Sequence, residues 1–246
     1  MKRKILVTAA VCALSAACVF GVTACSKDSG DSGSGHPDVG PSIEVADEAA
    51  WKAAWNKTVT ATNFTYVWLD KITDGIGMEA TTMKAYFWGD EKFLETKNAY
   101  SGGRDERYER YEYYVVKENE TSYYANEEDG SWSVGVGDYF MGEISTAIFF
   151  DDRFNGGENI ANLFSEFTYG SDKYTASLTY EGLTASVTVK INQDGYVSYF
   201  NCTIDDTESG YYKYTSEYTF YNFGTTSYNV PAAAKQAVED YKAANN

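Results

Sequence analysis

The chain is poor in histidine, proline, cysteine and cations. Of its 246 residues, one is histidine, three are proline and four are cysteine. The histidine, His36, lies in a Gly/Ser/Asp-rich stretch. The folded part therefore has no imidazole for a Ser-His-Asp triad, a zinc site or a general base. No Gly-x-Ser-x-Gly, phosphate-binding glycine loop or Cys-x-x-Cys occurs. Carboxylates are plentiful, but no pair stands out for glycoside chemistry. A non-enzymatic protein is expected, with no cofactor and no metal. Cations are also scarce: 20 Lys and Arg face 36 Asp and Glu. A net charge of −16 excludes nucleic acid as a partner, because phosphate binding needs a basic footprint. It also disfavours anionic surfaces and favours cationic or neutral ligands.

Long apolar runs are missing too, apart from Ile5 to Gly21. That run is short for a spanning helix and right for the apolar region of an export signal. Lys2, Arg3 and Lys4 precede it, and Val22-Thr23-Ala24-Cys25 follows. The small residues before Cys25 form a lipoprotein processing site. Residues 1–24 are read as signal peptide, and Cys25 as the lipidated (palmitate-type, diacylglyceryl) first residue of the mature protein. Two acyl chains suffice for a stable anchor where one is marginal. The expected location is the extracytoplasmic face of the cell membrane, on the outer surface of a single-membrane bacterium. Cys12 and Cys18 leave with the signal, and Cys202 is left without a disulfide partner.

Residues 25–42 form a Gly/Ser/Asp/Pro tether spanning roughly 20–25 Å root-mean-square. Residues 43–246 are read as one domain. Asp47 caps a short helix to about Asn56, with Trp51 and Trp55 one turn apart on one face. From Asn63 the apolar period becomes two. Strands are predicted from Asn63 through Trp68, then at Met78–Trp88, Lys92–Ala99, Tyr108–Lys117, Thr121–Asn126 and Trp132–Val136. Turn signals such as Gly89-Asp90 and Asp129-Gly130 separate them. Asp138 could cap a helix over Tyr139–Phe150, with Phe140, Ile144 and Ile148 on its apolar stripe. A second short helix is predicted at Ile160–Phe167. An antiparallel meander follows, from Lys173–Tyr180 through Leu183–Asn192, a strand bearing Phe200, Cys202 and Ile204, and one bearing Tyr212, Tyr214, Tyr218 and Phe220. Pro231 opens a last helix. The fold class is mainly β (α+β): a single large curved antiparallel sheet or half-barrel of about ten strands, with short helices on its concave face.

The ending Phe220-Tyr221-Asn222-Phe223-Gly224-Thr225-Thr226, followed by Val230-Pro231 and a helix, resembles the close of LolA-like and LprG/LppX-like bacterial lipoproteins. The order of lipobox, tether, short helix, strands, apolar middle and meander is similar as well. The resemblance implies a half-barrel of about eleven strands, with helices over an apolar cavity that carries acyl chains. It transfers no ligand residue by position. The 22 tyrosines make the inward faces more polar than an acyl tunnel. They leave room for a sugar, peptide or aromatic ligand.

The expected ligand-contacting residues are Phe140, Ile144, Ile148, Tyr212, Tyr214 and Tyr218, around an apolar or amphipathic, lipid-like ligand. The alternative is an interaction module with a solid core and a tyrosine-rich exterior that meets a protein or glycan. Arg104, Arg107 and Arg110 could hold an anion, but pairing with Asp105, Glu106 and Glu109 on a solvated face is the simpler reading. Asp205, Asp206 and Glu208 near Gly210 do not match a calcium loop and read as a solvated hairpin tip.

Overall fold

A computed structural model of the chain describes residues 37–74, 77–102, 107–119, 121–137, 154–180, 182–206 and 212–245. The signal segment, Cys25, His36, Arg104, Glu208 and the expected helix at Tyr139–Phe150 lie outside these residues.

Asp47 begins the ordered helix. Its side chain accepts a hydrogen bond from the Ala50 backbone N–H at 2.9 Å, capping helix α1 (Glu48–Val59). Trp51 and Trp55 are both 0 % exposed, so the tryptophan face of α1 is a core anchor. The two rings meet edge-on with centroids 5.8 Å apart. Trp51 also packs against Phe167 at 4.8 Å and Tyr174 at 5.1 Å.

Among the described residues, eleven strands follow in two meanders. The first comprises β1 (Asn63–Asp74), β2 (Gly77–Trp88), β3 (Glu91–Gly102), β4 (Arg107–Glu118), β5 (Thr121–Glu128) and β6 (Ser131–Val136). Its hairpins are tight. Between β5 and β6, Asp129 and Gly130 both take positive φ, 50° and 81°, the geometry of a two-residue turn matched to strand twist. The second meander comprises β7 (Thr168–Gly170), β8 (Lys173–Tyr180), β9 (Leu183–Ile191), β10 (Val197–Asp205) and β11 (Tyr212–Tyr221). Two 3₁₀ turns, at Ile160–Asn162 and Phe164–Glu166, stand where a single short helix was expected.

The two meanders join into one antiparallel sheet of order β6-β5-β4-β3-β2-β1-β11-β10-β9-β8-β7. The seam is the pairing of β1 with β11, running from Thr65↔Tyr221 to Asp74↔Tyr212. β6 and β7 form the two edges, so the sheet is an open half-barrel rather than a closed barrel.

The register assigns every side chain to one of two faces. Phe64, Tyr66 and Trp68 of β1 lie opposite Phe87, Ala85 and Met83 of β2. They share a face with Tyr218 and Phe220 of β11 and with Phe200 of β10. Trp55 packs on Phe200, with centroids 6.1 Å apart, so this is the α1 face. The C-terminal helix α2 (Ala232–Asn245) lies on the other face. Its buried Ala234 and Val238 cluster with Phe93, Tyr114 and Ala125, whose register neighbours alternate with those of the α1 face. Tyr228 leads into α2 by stacking on Phe93 at 4.2 Å. Helices thus back the sheet on both sides, α1 over one meander and α2 over the other.

The tether closes onto the sheet before residue 43. The Ser42 side chain is buried and accepts from the Ile191 backbone N–H at 2.9 Å, and Ile43 N–H donates to the Ile191 carbonyl at 2.8 Å.

Trp55→Ala is expected to lower the unfolding free energy by about 3–5 kcal/mol, the usual cost of emptying a large aromatic site. Val136→Ser, at a β6 position that is 52 % exposed, is expected to change it by no more than about 0.5 kcal/mol. Urea titration of both variants checks the contrast.

Candidate functional site

The α1 face is apolar along most rows, but one row across it is polar. Following the register, Cys202 of β10 lies opposite Ser216 of β11, Ser216 opposite Asp70 of β1, Asp70 opposite Thr81 of β2, and Thr81 opposite Asn98 of β3. Ser216, Asp70, Thr81 and Asn98 are all buried. The next row on one side is Phe200, Tyr218, Trp68 and Met83, and on the other Ile204, Tyr214, Ile72 and Glu79. A strip of hydrogen-bonding groups is therefore flanked by a largely apolar strip on one side and by a mixed strip on the other.

Asp70 is the centre of this row. It is 4 % exposed. Its carboxylate accepts hydrogen bonds from Tyr214 and Ser216. The Ser216 hydroxyl also accepts from the Trp68 indole N–H at 3.0 Å and is hydrogen-bonded to Tyr218. The second carboxylate oxygen, Oδ1, is buried and has no hydrogen-bond partner among the described residues, and neither has the Tyr66 hydroxyl on the same face. Buried polar atoms are nearly always paired, and an unpaired one costs about 1–3 kcal/mol or more.

Burial pushes the Asp70 carboxyl up to about 7. Tyr214 and Ser216 oppose that rise by stabilising the anion, while negative Glu79 adds to it. The same burial drives Tyr214 and Tyr218 well above the ordinary phenol range, so both are neutral donors at physiological pH. Cys202 is pushed up to about 12 by burial and by Asp70. Its thiol is thus protonated, a small buried side chain rather than a nucleophile.

The structure places Tyr214 and Tyr218 on β11 in the rows either side of Asp70. Tyr212 pairs with Asp74 at the end of the seam. Phe140, Ile144 and Ile148 lie outside the described residues. The sequence reading missed Asp70, Thr81, Asn98 and Ser216, because each is an ordinary polar residue on its own strand and the row exists only through the register.

Of the other candidates, Arg110 and Asp205 form ion pairs, while Arg104, Asp105, Glu106, Glu208 and Gly210 lie outside the described residues. Arg110 pairs with Glu112 and, at 3.6 Å, with Glu95. Asp205 is bridged by Lys213 at 2.9 Å. The tyrosines, tryptophans and phenylalanines whose side chains are described are buried or half-buried, with Tyr86, Trp88, Tyr123 and Trp132 among the half-buried ones on the α2 side.

No family model matches the chain, and no curated protein is significantly similar to it. Among solved structures, LprF from Mycobacterium bovis aligns over 76% of this chain and 96% of its own, with 10% identity and a TM-score of 0.40. A DUF1329 family protein from Desulfovibrio piger ATCC 29098 aligns over 79% of this chain and 98% of its own, with 8% identity and a TM-score of 0.25.

The raised Asp70 value has a definite sign in stability. An unfolded aspartate loses its proton near pH 4, whereas folded Asp70 holds it to about pH 7. Between these values the folded state binds more protons, so stability falls as pH rises from about 4 to about 7 and then levels. At 1.36 kcal/mol per unit, the loss is at most about 4 kcal/mol. Asp70→Asn is expected to abolish this component. Denaturation midpoints at pH 5 and pH 8 should lie closer together in the variant than in the wild type.

Proposed function

We propose that the chain is a lipid-anchored extracytoplasmic protein that binds an amphipathic, lipid-like ligand on the α1 face of its half-barrel. The observation that carries this reading is the buried polar row Ser216-Asp70-Thr81-Asn98, set beside the largely apolar row Phe200-Tyr218-Trp68-Met83. An entirely apolar ligand would leave such a row unsatisfied, and a strongly polar one would waste the flanking aromatic surface. A molecule with an apolar body and a small polar head matches both. On this reading the face binds and does no chemistry, in keeping with a Cys202 thiol that is held protonated. The anchor follows from Val22-Thr23-Ala24-Cys25 behind a basic and then apolar start. A lipid on Cys25 would hold the domain at the membrane while the acidic body stands clear of anionic headgroups.

Native mass spectrometry of the protein released from membranes without detergent is the direct test. A retained adduct with the mass of an amphipathic small molecule is expected. A bare polypeptide mass, with none regained on incubation with a lipid extract, would sink the reading.

The anchor is checked separately. Cys25→Ala should move the protein from the membrane to the soluble fraction. An unchanged membrane fraction would remove the lipid from the account.

A further inference from the structure

The unpaired oxygen of Asp70 defines the head of the ligand more closely than amphipathic character does. Tyr214 and Ser216 already donate to this carboxylate, so its charge is partly stabilised. What is missing is a donor for Oδ1. The row itself does not supply one: Thr81 and Ser216 flank Asp70 in the register, and Oδ1 is still bare. The charged neighbour acting on Asp70 is Glu79, which is itself negative. Aromatic side chains occupy the rows next to the carboxylate. The Trp68 and Tyr218 rings are nearly parallel, with centroids 5.8 Å apart, and Tyr214 is hydrogen-bonded to Asp70. A bare carboxylate oxygen and a negative local field favour a cation over a neutral donor or an anion. The net charge of −16 draws cations to the molecule as a whole.

We propose that Asp70 is the headgroup site for a protonated primary amine, with the ammonium at Asp70 Oδ1 and the apolar body of the ligand along the neighbouring rows of the α1 face. This rests on the amphipathic-ligand reading and narrows it to one class, the long-chain amines. The ammonium brings three donors, enough for Oδ1 and for one further acceptor in the row. Binding holds Asp70 as the anion, so it expels the proton that burial otherwise keeps there. The groups that share this field are Glu79 of β2, Tyr214 and Tyr218 of β11, Cys202 of β10 and Tyr180 of β8.

Decylamine, decanol and decanoate, each titrated calorimetrically into the full chain at pH 7, test the assignment. Decylamine is expected to bind about tenfold or more tighter than decanol, with decanoate weakest. Titration in two buffers of different ionisation enthalpy should show net proton release with decylamine and none with decanol. In Asp70→Asn, decylamine should fall to the affinity of decanol, with decanol itself little changed. Decanol or decanoate binding as tightly as decylamine would overturn the amine assignment and leave the amphipathic reading standing. Failure of all three to bind would overturn both. Should Asp70→Asn fail to fold, the wild-type order of affinities and the proton release decide the matter.

Discussion

The whole architecture depends on the pairing of β1 with β11. Each meander is built from neighbours in sequence, and its hairpins close over short turns. The seam is different. Asp74 and Tyr212, the nearest of its described partners in sequence, are separated by most of the chain. Closing a loop of that size costs about 4–5 kcal/mol in chain entropy before any contact rewards it. The reward is burial. In its first half β1 is apolar or hydrogen-bonded on both sides: Phe64, Tyr66 and Trp68 are buried on the α1 face, and Thr65 and Val67 on the other. Thr65 Oγ1 and Thr226 Oγ1 lie 2.8 Å apart, and Asn63 donates to the Thr226 carbonyl and accepts from the Thr226 N–H. The segment after β11 thus reinforces the seam from outside.

The candidate site belongs to the seam. Asp70 comes from the first meander, while Ser216, Tyr214 and Tyr218 come from the second. Neither half holds the hydrogen-bonded set alone. The carboxylate is therefore positioned by the same ladder that makes the sheet continuous, and a strand pairing fixes its place more firmly than a loop would. The stability lost by burying Asp70 is supported by the aromatic packing around it: Phe64 stacks on Phe87 at 4.6 Å, Trp68 on Tyr218, and Trp51 and Trp55 lie over the second meander.

Much of the fold was legible in the sequence, because a half-buried strand writes its period directly. Leu183, Ala185, Val187, Val189 and Ile191 alternate with polar neighbours and form β9 as read. Asp47, Pro231 and the glycine turns marked boundaries to within a few residues. β7 was not legible, since three residues, Thr168–Gly170, are too few to display a period. The face chosen by α2 was not legible either. A helix after the last strand can fold to either side, and here Tyr228 and Val230 direct it by packing with Phe93 and its neighbours. The site was half legible. Tyr214 and Tyr218 stood out as an aromatic stripe. Asp70 did not, because a single aspartate in a strand reads as a solvent-facing residue. Only the cross-strand register shows that it lines up with Ser216, Thr81 and Asn98 under cover.

The seam also sets a clock. The chain is made from its N-terminus, so β1 exists well before β11. At 5–20 residues per second, the interval between Asp74 and its partner Tyr212 is roughly 7–30 s. Throughout it, the N–H and C=O groups along one side of β1 are an unclaimed sheet edge carrying Phe64, Tyr66 and Trp68. Such an edge invites strands from other chains. Newly made copies of this protein are thus vulnerable to one another until the last strand arrives, and a single late pairing both completes the α1 face and ends that exposure.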